Sequence, residues 1–131
     1  MSRVQDFLRA CLGRFRTESE SDHYRFDVHL SSLIDAFNEV LDIGHGTRPE
    51  GAAQDKLKNR AEDIAARMKA TSPPDAEWRE VLEDYIKMGE IHLRYFGHVL
   101  PEDEQRKFAA INDRANLRRE QLQEVYRSGR R

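Results

Sequence analysis

The sequence predicts an all-α protein, an up-down helical bundle of four to five helices. Apolar residues recur at three- and four-residue spacing over long windows, and no window alternates apolar with polar as a half-buried strand does. The apolar runs are separated by short glycine- or proline-marked connections, which favour antiparallel neighbours. Residues 75–100 form a segment that is apolar around most of its circumference, so other helices, from this chain or a partner, must surround it.

The first helix is expected over residues 4–15. Val4, Leu8, Cys11 and Phe15 share a face with Phe7 and Leu12 beside it, and Arg3, Arg9, Arg14 and Arg16 surround that face. Residues 1–16 therefore read as a basic amphipathic N-terminal helix. A second helix is expected over 22–43, where Phe26, Leu30, Leu33, Ile34, Phe37, Val40 and Leu41 make a core-facing stripe and Gly44 falls where a C-terminal glycine belongs. The glycine-flanked stretch 44–51 follows as a connection. The third helix, over 52–70, has sparse apolar positions (Leu57, Ala61, Ile64, Ala65, Met68) and is expected at the periphery.

Ser72 as N-cap, Pro73 at the first helical position and Asp75 and Glu77 in the first turn mark the start of the fourth helix. One stripe of this helix is Trp78, Val81, Tyr85, Met88, His92, Tyr95 and Val99. A second is Leu82, Ile86, Gly89, Leu93, Phe96 and Leu100, which leaves Glu80, Asp84, Lys87 and Arg94 for water. The fifth helix follows Pro101 and carries Phe108, Ile111, Ala115, Leu122, Val125 and Tyr126, with Arg118 interrupting the seam. Residues 128–131 read as a disordered tail, and 1–131 as one domain, which is long enough to bury a core without metals or disulfides.

Composition narrows function by exclusion. A single Cys11 leaves no internal disulfide framework and no cysteine zinc site, which fits a reducing, cytoplasmic setting. No stretch is apolar for long enough to span a bilayer, and the N-terminus lacks the apolar core of a secretory signal. The net charge of −2 does not call for a polyanionic partner, but it is unevenly spread. The basic first segment precedes residues 17–50, where eight acids stand against Arg25 and Arg48. The simplest reading is that the basic first helix lies along the acidic second. The arginines of the last helix are interleaved with acids, which argues against nucleic acid.

No nucleophile elbow or phosphate-binding motif is present, and Cys11 lies on an apolar face, so the chain reads as a non-enzyme. The leading expectation is a protein–protein interaction protein, a small adaptor, regulator or inhibitor that binds another protein or itself as a homodimer. Its expected partner-binding residues are Phe7, Leu8, Leu12 and Phe15 on the first helix and Trp78, Tyr85 and Tyr95 on the fourth, because aromatic residues dominate binding energy. No cofactor is expected under that reading. The alternative is a metal- or cofactor-binding bundle using His23, Asp27 and His92, which fall on core-facing stripes. It lacks the Glu-x-x-His pairs that carboxylate-bridged metal bundles use. A nucleic-acid accessory role, resting on the arginines of the last helix, is the weaker third option, and peripheral membrane contact by residues 1–16 has less support than docking onto protein.

Overall fold

The computed structural model describes residues 18–48 and 50–128. Among them are four α-helices and no strand: α1, Glu18–His45; α2, Ala52–Ala70; α3, Ala76–Arg94; and α4, Glu102–Ser128. The basic helix expected over residues 4–15, with Phe7, Leu8, Leu12 and Phe15, lies outside the described residues, as does the tail after Ser128.

Side-chain pairings give the direction of each helix. His23 on α1 meets Asp75 at the start of α3, so these two helices run parallel. Tyr24 meets Tyr126, Asp27 meets Arg119, and Ile34 shares a cleft with Asn112, so α1 and α4 run antiparallel. Tyr85–Asn116 and Arg94–Glu104 set α4 antiparallel to α3. The result is an up-down bundle in which α1 packs on α2 and α3 on α4, while α1 and α4 approach each other less closely.

Asp75 caps α3, its carboxylate accepting the backbone N–H of Trp78 at 2.9 Å. The start expected at Ser72 thus shifts to Asp75, whose extended backbone and short carboxylate satisfy an amide that the helix itself leaves free. The same carboxylate reaches His23 Nε2 at 2.8 Å, tying the cap of α3 to α1. Helix α3 also ends earlier than the apolar pattern suggests, at Arg94. Gly97 turns the chain with φ +79°, Val99 is exposed, and only Phe96 of that stretch is buried.

The core has two centres. The larger holds Phe26, Leu30 and Leu33 of α1, Met68 of α2, Trp78, Val81, Leu82, Tyr85 and Met88 of α3, and Ala115 of α4. The smaller holds Phe37, Val40 and Leu41 with Ala61 and Phe96. Helix α2 is not peripheral, because Ala61, Ala65, Met68 and Gln54 are buried. Its small residues let its backbone come close to α1, a packing that gains contact density without large side chains.

Gly44 is likewise not a left-handed cap. It sits within α1, where a Cβ would stand 2.9 Å from Phe96 Cζ, so its role is to admit that ring. Gln54 completes this corner by donating Nε2–H to the Gly44 carbonyl at 3.4 Å, and it lies so close to Gly97 that any side chain there would displace it.

Candidate functional site

The seam between α1 and α4 has two parts of opposite character. Near the N-terminus of α1 it is closed by a buried polar clasp. Asp27, 4% exposed despite its charge, accepts from Arg119 Nε at 2.6 Å, from Gln123 Nε2 at 2.9 Å and from the Tyr126 hydroxyl at 2.5 Å. Arg119 also donates to the Ser31 hydroxyl and reaches the Asp27 carbonyl at 3.5 Å, and its guanidinium lies over the Tyr85 ring, 6.0 Å from the centroid.

Burial opposes the charge of Arg119, but the hydrogen bond and charge of Asp27 hold its pKa above the ordinary value. Burial, followed by the hydrogen bond and charge of Asp27, pushes the Tyr126 phenol up to about 12. Three donors from one helix fill three of the roughly four acceptor positions of this carboxylate, so the clasp joins two helices and leaves little acceptor capacity for a ligand. Below it, Tyr24, Tyr126, Trp78 and Phe26 make a chain of ring contacts with centroids 5.6–6.4 Å apart.

Further along, the same seam is open. A cleft of about 100 Å³ lies between the helices. Ile34, Phe37, Asn38 and Leu41 of α1 form one wall, and Phe108 and Asn112 of α4 face them. Tyr85, Met88, Gly89 and His92 of α3 line the floor, with Met68 of α2 at its inner end. Asn38 of α1 and Asn112 of α4 are the polar amides of this lining, and Asn112 Oδ1 accepts from Asn116 Nδ2 of its own helix at 3.2 Å. Gly89 adds depth: a Cβ there would already lie 3.6 Å from the Phe37 ring. Tyr85 links the two halves, since its hydroxyl donates to Asn116 Oδ1 at 2.5 Å while its ring borders the cleft.

Exposed acids adjoin the lining in sequence: Asp35, Glu39 and Asp42 directly follow the lining residues Ile34, Asn38 and Leu41, and Asp113 follows Asn112. On the outer side of the molecule, α3 and α4 are cross-linked by Arg114 forked onto Asp84 at 2.7 and 3.1 Å, and by Arg118 on Glu80 at 3.0 Å. Asp84 is therefore buried under Arg114 and does not belong to the water-facing strip expected for it. Glu104 is also buried, with Lys107 at 3.4 Å and Arg94 at 3.6 Å.

The expected site residues divide accordingly. Trp78 is 1% exposed and Tyr85 is 8% exposed. Trp78 offers a partner almost no area and is core, which corrects its expected role as an interface anchor. Tyr85 is buried too but contributes to the wall of the cleft. Tyr95 is half-buried in the turn after α3 and does not line the cleft.

His23, Asp27 and His92 do not form a site. His23 is paired with Asp75, Asp27 is occupied by the clasp, and His92 lies over Phe108 in the cleft, with ring centroids 4.6 Å apart. Among the described residues no group of three or more His, Cys, Asp or Glu side chains is gathered so as to hold a metal. Sequence reasoning missed Arg119, Gln123 and the cleft residues Asn38 and Asn112. The signal available for the clasp was the pair Arg118–Arg119 interrupting an apolar seam opposite an aspartate on a core stripe.

Burial, and secondarily His45, holds the His92 imidazole below its ordinary value. The unfolded chain takes up this proton near pH 6.5, whereas the folded chain resists it to lower pH. The unfolded state thus binds more protons in that window, so stability is full above pH 6.5 and falls as the pH drops below it. In urea titrations between pH 7.5 and 5, a His92→Gln variant is expected to show a shallower loss of stability than the wild type. Equal slopes would remove His92 as the source.

No family model, no curated protein and no solved structure matches this chain. What fold and site define is a class: a four-helix bundle with one seam half-clasped and half-open. No helix among the described residues is long and apolar enough to cross a membrane.

Proposed function

We propose that the protein is a non-enzymatic interaction module, a cytoplasmic adaptor, regulator or inhibitor, which receives an apolar side chain of a basic partner helix in the cleft between α1 and α4. The observation that carries this reading is the cleft itself. Its walls are built mainly from Ile34, Phe37, Leu41, Met88 and Phe108, and the exposed acids Asp35, Glu39, Asp42 and Asp113 each follow a lining residue in sequence. An apolar slot with acids nearby is complementary to an apolar anchor flanked by lysine or arginine, the helix-in-groove mode of recognition. Charge of this kind acts mainly on association rate and partner choice, while the buried anchor carries most of the binding energy. The charged groups that could serve catalysis in the seam are engaged in the clasp, which supports a binding role over a catalytic one.

The test is native mass spectrometry of the protein purified gently from its own host, wild type beside Asn38→Arg. Asn38 is exposed at the mouth, so arginine there blocks the slot and repels a basic partner without disturbing the core. A partner, whether another protein or a second copy, is expected to accompany the wild type and to be lost from the variant, with affinity reduced at least about tenfold. Lys58→Glu, on the exposed face of α2, is expected to keep it. Equal retention by Asn38→Arg, or a wild type with no partner, would overturn the reading.

A further inference from the structure

Gly44 and Gly97 are fixed as glycine by their surroundings. At Gly44 a Cβ would stand 2.9 Å from Phe96 Cζ, and at Gly97 φ is +79° and Gln54 fills the space a side chain would take. Gly89 has neither reason. It lies inside α3, more than a turn from either end, and its φ is not positive. Beyond its chain neighbours and the backbone of its own helix, a Cβ there meets two atoms within 4 Å. Both belong to the Phe37 ring, at 3.6 and 3.7 Å, which is ordinary van der Waals contact. Glycine in a helix interior is less stable than alanine, so propensity and packing both favour a methyl group that the chain omits. The space left empty opens into the cleft, whose floor Gly89 shares with Met88 and His92.

We propose that Gly89 sets the specificity of the cleft: the methyl group it omits leaves room for the tip of one aliphatic side chain, leucine or methionine, carried by the basic partner helix, and the slot is too small for an indole. The anchor rests on the partner-binding reading above and gives it a chemistry. Volume sets its size. An apolar protein cavity of about 150 Å³ takes up benzene. This cleft holds about 100 Å³, room for an isobutyl or thioether tip. The lining sets its character. Ile34, Phe37, Leu41 and Phe108 wall the slot, and Met68 and Met88 bring flexible thioethers that adapt to an aliphatic guest. The polar groups at hand do not call for a polar ligand. The Tyr85 hydroxyl donates to Asn116, Asn112 Oδ1 accepts from Asn116, and burial holds the His92 imidazole below its ordinary value, so it is uncharged at neutral pH. The exposed acids that follow lining residues suit the lysines or arginines beside such an anchor.

Isobutane and indole, the leucine side chain and the tryptophan ring as free molecules, are the probes. Their binding is followed by NMR chemical shifts in the full chain, wild type beside Gly89→Ala. Isobutane is expected to shift the signals of Gly89, Met88 and Leu41 in the wild type, and indole to bind at least about tenfold more weakly. Gly89→Ala is expected to raise Tm by about 2–4 °C, because a helix-favouring methyl enters a site that accepts it, and to weaken isobutane at least about tenfold. In native mass spectrometry the same variant is expected to lose the partner that the wild type retains, although it is the more stable protein. A variant less stable than the wild type would return Gly89 to a packing role and overturn the proposal. So would a wild type that isobutane leaves unshifted, isobutane bound equally by both proteins, or indole bound as tightly as isobutane. If Asn38→Arg loses the partner while Gly89→Ala keeps it, the anchor assignment fails and the partner reading stands. A wild type without a partner overturns the reading, and the anchor with it.

Discussion

Replacing Arg119 by methionine is expected to lower the unfolding free energy by about 3 kcal/mol, the cost of leaving a buried charge without its partner. For a chain of this size that corresponds to a fall in Tm of about 10 °C. The loss has a specific origin. Asp27 keeps Gln123 and Tyr126, but both are neutral donors, and its carboxylate remains in a site nearly closed to water. Replacing both members of the pair, Asp27→Leu with Arg119→Met, is expected to recover most of the loss, since an apolar pair of similar volume carries no desolvation cost. Urea denaturation of the two singles and the double separates these effects. A loss below about 1 kcal/mol for Arg119→Met would show that the clasp adds little to stability.

Trp78→Ala is expected to cost about 3–5 kcal/mol, as for other large aromatic residues removed from a packed interior. Trp78 meets Phe26 edge-on at 5.6 Å and stacks near Tyr126 at 6.4 Å, so its loss opens a cavity where α1, α3 and α4 converge. The result separates a core role from an interface role: a surface anchor would cost little in the free protein and much in a complex. Trp78 is also the only tryptophan, so its fluorescence reports the site directly. Emission in the native state is expected to be blue-shifted and to resist quenching by acrylamide. A readily quenched tryptophan, or a loss below about 1 kcal/mol, would return Trp78 to the surface.

Much of the bundle was readable because its apolar residues follow helical periodicity. Phe26, Leu30, Leu33, Phe37, Val40 and Leu41 are buried as their spacing requires. The pattern misled where burial does not depend on large apolar side chains. Ala61 and Ala65 are buried because they are small, which a search for bulky residues reads as a sparse, peripheral helix. Asp84 looked solvated because Arg114, thirty positions away, supplies its partner from another helix. Helix α3 looked longer than it is because apolar spacing continues through Val99, whereas the backbone already turns at Gly97. The cleft was illegible for a related reason: its lining comes from four separate helices, and no local pattern announces their meeting.

The division of the interior into two centres means that the bundle does not resist opening uniformly along its length. The end around Trp78 is held by ten buried residues and the clasp, whereas the opposite end, around Phe37 and Phe96, relies on five. The cleft lies between the two centres, lined by Met68, Tyr85 and Met88 of the larger and by Phe37 and Leu41 of the smaller. At the Phe96 corner Gln54 donates to the Gly44 carbonyl at 3.4 Å while its own Oε1 is buried without a partner. Free energies of sub-global opening follow such differences in local packing. The Phe96 end is therefore expected to open at lower free energy than the end around Trp78, which hydrogen exchange reads as weaker protection of its amides.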